Sequence, residues 1–262
     1  MTCELKVEQI WISVDPLAEV QPDKTPYHYV GNNPIVRIDP TGMLDHDYKL
    51  HKNGYLEKLQ NTEDNFDRIF NESGTDNIAV SKDFIDNSKS NGKGMIYPLS
   101  STEAKHDAVS DHIFKFFASN TKNEYSLHTF KDTKTGKSSG FVATSFEEGF
   151  ERAGGLELDN KMRSNSNLIM TRDIHSHPGG GKYTDSDYPS GFRPKGWKYS
   201  GNPGVKKYED ILKGDALYFN TIKKEYGNRV PNNFEIFVPK APTVKIFYND
   251  KNAVRTDNGT RY

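Results

Sequence analysis

The stretch "NLIMTRDIHSHP" (167–178) constrains the fold of this chain more than any other. It opens on an apolar run, closes on two histidines one residue apart, and stops at a proline, which has no N–H for a further ladder bond. A buried strand that ends in the histidine pair accounts for all three features. Side chains on a strand alternate between faces, so His175 and His177 point the same way. Two imidazoles aimed together make one half of a zinc site. A strand end with two solvated histidines has the same sequence, and the pair by itself does not choose.

Composition narrows the choices. The 262 residues suit one large domain or one domain with appendages. Apolar residues make up only 34% and mean hydropathy is -0.82, so the 15 Phe and 14 Tyr must supply much of the core. Lys and Arg number 35 against 36 Asp and Glu, a net charge of -1 without the basic footprint of a nucleic-acid binder. Cys3 is the single cysteine, which excludes an internal disulfide framework and a cysteine-based zinc site. The fold therefore tolerates a reducing compartment. No apolar run reaches the length of a membrane span, and "MTCELKVEQIWISVDP" has no signal-peptide apolar segment. If the protein leaves its cell, something other than such a signal is expected to export it.

Residues 11–43 differ in character from the rest of the chain. Asp-Pro, Asn-Pro and Thr-Gly turn signals separate short runs such as "YHYV" and "IVRI", the pattern of tight turns joining short strands. The wording from "DPLAE" to "PYHYVGNNPIVRIDPTGM" closely resembles the end of the Rhs repeat-associated core. In that family the core ends a long YD-repeat shell that encloses a variable C-terminal toxin. The resemblance implies that the payload starts after Met43, at Leu44, and is released there in the full-length protein.

From 44 to about 98 the chain is polar and β-flavoured. "DYKLHKNGYLEKL" alternates around Asn53-Gly54, a strong hairpin signal, and "DNIAVSKDFI" reads as a further strand. His46 and His51 read as solvated side chains rather than ligands. Ser100-Ser101-Thr102-Glu103 is a capping box that opens a helix through about Asn120, with Val109, Ile113, Phe116 and Phe117 facing a core. "NEYSLHTF" and "GKSSGFVATSF" pair across "KDTKTGK", and the histidine strand comes next. A Gly/Pro/Tyr-rich loop runs from Pro178 to about Lys213. Residues 215–227 read as a helix ended by Gly227, and "FEIFVP" and "TVKIFYN" are two final strands.

This order resembles the JAB/MPN (JAMM) metalloprotease fold, and more narrowly the JAB-like toxin domains found behind Rhs cores, over roughly residues 100–250. "IHSHP" is its most specific piece. The resemblance implies an α+β fold, a curved JAB/MPN-type β-sheet flanked by helices, here preceded by a turn-rich β segment. It divides the chain into an Rhs-core remnant (1–43), a β-rich leading part (44–98) and the JAB/MPN-like toxin domain (99–262).

The resemblance also implies a site: a glutamate on an early strand, then His-x-His-Pro, then a serine and an aspartate at the start of the next helix. Glu124 occupies the glutamate's place, where the family uses it to take the proton of the attacking water and pass it to the leaving amine. Glu147 and Glu148 are runners-up that read better as a surface pair. His175 and His177 supply two ligands. The third departs from the family spacing, because the window after His177 holds Asp185, Ser186 and Asp187, with Tyr188 where an aspartate is due. A lengthened loop resolves this. Excising the insert between Ser190-Gly191 and Gly214-Asp215 leaves Ser-Gly-Gly-Asp at the head of a helix. Asp215 is then the third ligand and Ser190 the residue that polarises the scissile carbonyl. Asp185 or Asp187, with Ser186, are the alternatives, and Asp215 also suits a helix N-cap and nothing more. Two imidazoles, one carboxylate and an open position suit Zn2+.

The implied protein is a zinc metallopeptidase toxin that hydrolyses peptide or isopeptide bonds of a protein substrate. It is expected to be delivered from a bacterial cell, in competition, to act in the target-cell cytoplasm. A cognate immunity protein is the expected partner, with no nucleic acid and no membrane span. Three other readings compete. "DIHSH" is an Asp-x-His-x-His string of the kind seen in PHP phosphoesterases and amidohydrolases, but no histidine comes after His177 to complete a multi-metal site. A catalytically inactive JAB-fold binding module predicts a missing ligand. A nucleic-acid-directed toxin is weakened by the near-neutral charge.

Overall fold

The computed structural model describes residues 46–60, 66–82, 84–178, 190, 214–240, 242 and 245–255. The turn-rich segment 1–43 and most of the loop 179–213 lie outside the described residues. Two short strands open the described chain, β1 (His46–Leu50) and β2 (Leu56–Gln60), paired antiparallel. Gly54 turns the chain between them in the left-handed region (φ 84°), and its N–H donates to the His51 carbonyl at 2.8 Å. The Asn-Gly signal thus marks a hairpin. His51 is a half-buried side chain held between Glu57 and Glu72. β3 (Phe66–Asn71) runs parallel to β1 and pairs with β4 (Asn77–Ser81), giving a four-stranded sheet in the order β2-β1-β3-β4.

The second sheet has eight strands. β5 (Lys89–Ser90) and β6 (Met95–Leu99) precede the helices, so this sheet draws on residues ahead of 99. Ser100 forms the expected capping box with Glu103, but the helix is two helices, α1 (Ser101–Lys105) and α2 (Asp107–Asn120), divided at an extended His106. Ile113, Phe116 and Phe117 are buried as expected, whereas Val109 is 42% exposed. The buried stripe of α2 is centred on Ser110, Ile113, Phe114 and Phe117, which leaves Val109 on its flank.

β7 (Tyr125–Asp132) and β8 (Ser138–Thr144) form the expected hairpin. A helix that the sequence reading missed, α3 (Ala153–Ser164), precedes β9 (Leu168–Ser176), the histidine strand. α4 (Gly214–Tyr226) ends before Gly227 in the left-handed region (φ 57°), followed by β10 (Phe234–Phe237), β11 (Lys245–Tyr248) and β12 (Ala253–Arg255). The strand order is β12-β11-β10-β9-β7-β8-β6-β5. β9 and β10 are parallel, and the other pairs in this sheet are antiparallel.

Mixed sheets and helices make this an α+β fold, in layers. On one face of the large sheet, Phe130, Phe141 and Ile236 pack with Leu158 and Met162 of α3 and Phe219 and Ile222 of α4. On the other, Leu127, Val142 and Ile174 pack with Phe114 and Phe117 of α2 and with Leu50, Ile69 and Val80 of the small sheet. A bulge in β9 decides which face receives the histidines. Thr129 pairs with Arg172 but Phe130 with Met170, so Thr171 is an extra residue. Met170 therefore faces the α3/α4 side, while Ile174 faces α2. Asp173, His175 and His177 adopt the shifted phase and turn toward α4.

Candidate metal centre

A strand–helix–strand crossover between parallel neighbours returns the start of the helix to the carboxyl end of the first strand. Here that brings the first turn of α4 to the end of β9, and Asp215 to the two histidines. His175 Nε2 lies 3.1 Å from His177 Nε2 and 3.1 Å from Asp215 Oδ1, and His177 Nε2 lies 3.5 Å from Asp215 Oδ2. Among the described residues these three form the one group of histidine, cysteine or acidic side chains whose ligand atoms all lie within 4.8 Å of one another. Adjacent ligands on a tetrahedral zinc, at 2.0–2.1 Å from the ion, are about 3.3 Å apart. The donor set therefore fits a small divalent cation.

The three side chains set one another's charge. Burial alone would lower His175, but Asp215 beside it, with Glu124 and Asp173 near by, outweighs burial and lifts it to about 9. Burial pushes the Asp215 carboxyl up, and the two histidines overcome this and hold it well below the usual carboxylate range. A cation entering here displaces a proton.

Ser190 and Asp215 stand on either side of residues 191–213 and clasp each other. The Ser190 N–H donates to Asp215 Oδ2 at 2.6 Å, and the Asp215 N–H lies 3.0 Å from Ser190 Oγ and 3.1 Å from the Ser190 carbonyl. This reciprocal geometry has the logic of a capping box formed between residues far apart in sequence. Gly214 permits it. Its φ is 53°, and a Cβ at that position would stand 1.9 Å from Ser190 Oγ.

Glu124 precedes β7 by one residue. Ser126 is opposite His175 in the β7–β9 register, so Glu124 lies on the same face, toward His177. Its N–H donates to the Glu147 carbonyl and its own carbonyl accepts from Thr144 Oγ1, both at 2.8 Å. The residue is 9% exposed. Burial raises its carboxyl, the two histidines pull it down, and Asp215 and Glu151 push it up again, to about 7.

The structure thus brings Glu124, His175, His177, Ser190 and Asp215 into one place. Glu147 and Glu148 are exposed, and Asp185, Ser186 and Asp187 lie outside the described residues. Four residues that the sequence reading missed stand around the site. Tyr248 of β11 brings its hydroxyl to 3.5 Å from His175 Nδ1. Glu151 accepts from Ser126 Oγ and from the Gly154 N–H. Asp173 and Tyr218 bond to each other at 2.9 Å. Each is an ordinary residue in sequence. The only signals were the same-face spacing of Asp173 with His175 and of Tyr218 with Asp215.

Residues 100–213 match the model of the family described as JAB-like toxin 1. Glu124, the two histidines and Ser190 fall within the match, and Asp215 lies just beyond its end. The match supports a JAB-like toxin domain, and with it a toxin effector. No curated protein and no solved structure matches the chain.

Proposed function

We propose that this chain is the toxin end of an Rhs-associated effector, and that its JAB-like domain is a zinc metallopeptidase cleaving peptide or isopeptide bonds. The observation that carries the reading is the convergence of His175, His177 and Asp215 beside the buried Glu124. His175, His177 and Asp215 would hold the Zn2+. When bound, the ion supplies Lewis acidity toward the attacking water and the scissile carbonyl.

The chain's own groups do the rest. As a carboxylate, Glu124 takes the proton of the attacking water. As an acid, it returns that proton to the leaving nitrogen. A group near neutrality serves both directions, because neither transfer is then far uphill. The Ser190 hydroxyl accepts from the Asp215 N–H, which leaves its own hydrogen for the carbonyl oxygen of the substrate. The protein substrate is met in the target cell, and an immunity protein in the producer guards against it. A binding module without catalysis expects a missing ligand, and the clasped Asp215 favours the peptidase instead.

Metal content and hydrolysis, measured on the parent and on Glu124→Gln, test this. The substitution keeps the size and removes the basicity, so one metal per chain should persist while hydrolysis and toxicity fall by about 10²–10⁴. A Glu124→Gln protein as toxic as the parent would sink the assignment.

A further inference from the structure

Behind the three ligands of the proposed centre lies a second polar tier. Asp173 precedes His175 by two residues on β9 and shares its face, and Tyr218 comes three residues after Asp215 on α4. The Tyr218 hydroxyl donates to Asp173 Oδ2 at 2.9 Å. His128, opposite Asp173 on β7, brings Nδ1 to 3.2 Å from the same oxygen, at an angle too oblique for a full hydrogen bond. Asp173 and His128 are 2% and 1% exposed.

A polar pair is an expensive way to fill this space. Phe219, Phe234 and Tyr248 stand near by, and apolar side chains would stabilise the layer at least as well. What a directed bond adds is a fixed depth and rotation of α4 against β9. That matters here because residues 191–213 separate Ser190 from Gly214, so no short covalent link sets where the helix begins. The helix is instead held by the Ser190–Asp215 clasp at its tip and by Tyr218–Asp173 one turn deeper.

We infer that Tyr218, through its bond to Asp173, is a positioning residue for Asp215, fixing the first turn of α4 so that the carboxylate meets the histidines. This rests on the reading of His175, His177 and Asp215 as a metal centre. Tyr226 supplies the control. It lies on the same helix about two turns further on, and its hydroxyl donates to Asp159 of α3, far from the ligands. Losing that bond loosens the helix without touching the second tier.

The test uses Co2+ as the probe on the full chain, reading its affinity and its visible ligand-field spectrum beside the melting temperature. Tyr218→Phe is expected to weaken Co2+ binding by about 10–100-fold and to alter the spectrum. Tyr226→Phe should lower the melting temperature and leave affinity and spectrum at the parent's values. Asp173→Asn, which keeps an acceptor for Tyr218, should bind well, and Asp173→Leu poorly. The inference is overturned if Tyr218→Phe binds and absorbs as the parent does, or if Tyr226→Phe weakens binding equally. Should Tyr218→Phe fail to fold, the Asp173 pair decides, and equal affinity in Asn and Leu variants overturns the inference. A parent that binds no Co2+ would instead overturn the metal centre itself.

Discussion

A carboxyl buried beside two histidines and two other carboxyls carries a titration that can be read as stability. Glu124 sits at about 7 in the folded chain, against an ordinary value of 4.5. Below pH 4.5 the folded and unfolded chains both hold the proton, and the group costs nothing. Between 4.5 and 7 only the folded chain keeps it, so stability falls as pH rises through that window. Above 7 the folded chain must hold a buried charge and the loss is complete. In the presence of chelator, Glu124→Gln should therefore be more stable than the parent at pH 8, by on the order of 3 kcal/mol, and equal to it at pH 4. Urea unfolding at the two pH values measures this, and equal stability at pH 8 would place the carboxyl in solvent. At this scale the histidines were legible because a two-residue spacing means one face on any strand. Ser190 and Asp215 could be brought together only by assuming an insert between them, since nothing local marks them as partners. The pairing of Asp173 with Tyr218 was not legible, since same-face spacing marks each residue alone and a buried hydrogen-bonded pair is set by the fold that encloses it.

Among elements, the contact that seats α2 against the histidine strand is polar at its edge. Arg172 of β9 reaches Asp111 of α2 at 3.0 Å and Glu235 of β10 at 3.5 Å, and Lys115 holds Asp111 from the next turn at 2.7 Å. Burial pushes the Asp111 carboxyl up, but Lys115 and Arg172 outweigh it and hold it below the usual range. A depressed carboxyl contributes stability that is present above its unfolded pKa and lost as pH falls through the folded one. Asp111→Asn should thus cost about 1–2 kcal/mol at pH 7, with the difference from the parent closing as both are taken below pH 4. A gap that stays constant down to pH 3 would mean that the charge contributes nothing. The start of α1 was readable from its capping box, and the β7–β8 hairpin from its turn. α3 was not, because Gly154-Gly155 reads as a loop. In the fold Gly154 is a packing requirement, since a Cβ there would come within 2.0 Å of Ser126 Oγ. The β9 bulge was equally silent. Its effect is large, for without the extra Thr171 the histidines would face α2.

In the whole molecule, the site lies on the seam where two strands of one sheet meet a helix. β9 and β7 belong to the large sheet, while α4 follows residues 191–213 and packs over that sheet with α3. A cation held by His175, His177 and Asp215 would tie strand to helix across this seam, and the unfolded chain keeps no such arrangement. Binding to the folded state alone stabilises it by mass action, about 2.7 kcal/mol at a hundredfold excess over Kd. For a chain of this size that is a rise in melting temperature of roughly 5–10 °C. Zn2+ should therefore raise the melting temperature of the parent, and chelator should reverse the rise. His175→Ala should show no such response while still folding, because His175 lies at the rim of the aromatic layer and not within its apolar cluster. Asp215→Ala tests the insert assumption at the same time. If it still responds to Zn2+ as the parent does, the third ligand lies elsewhere, and Asp185 and Asp187 become the residues to substitute next.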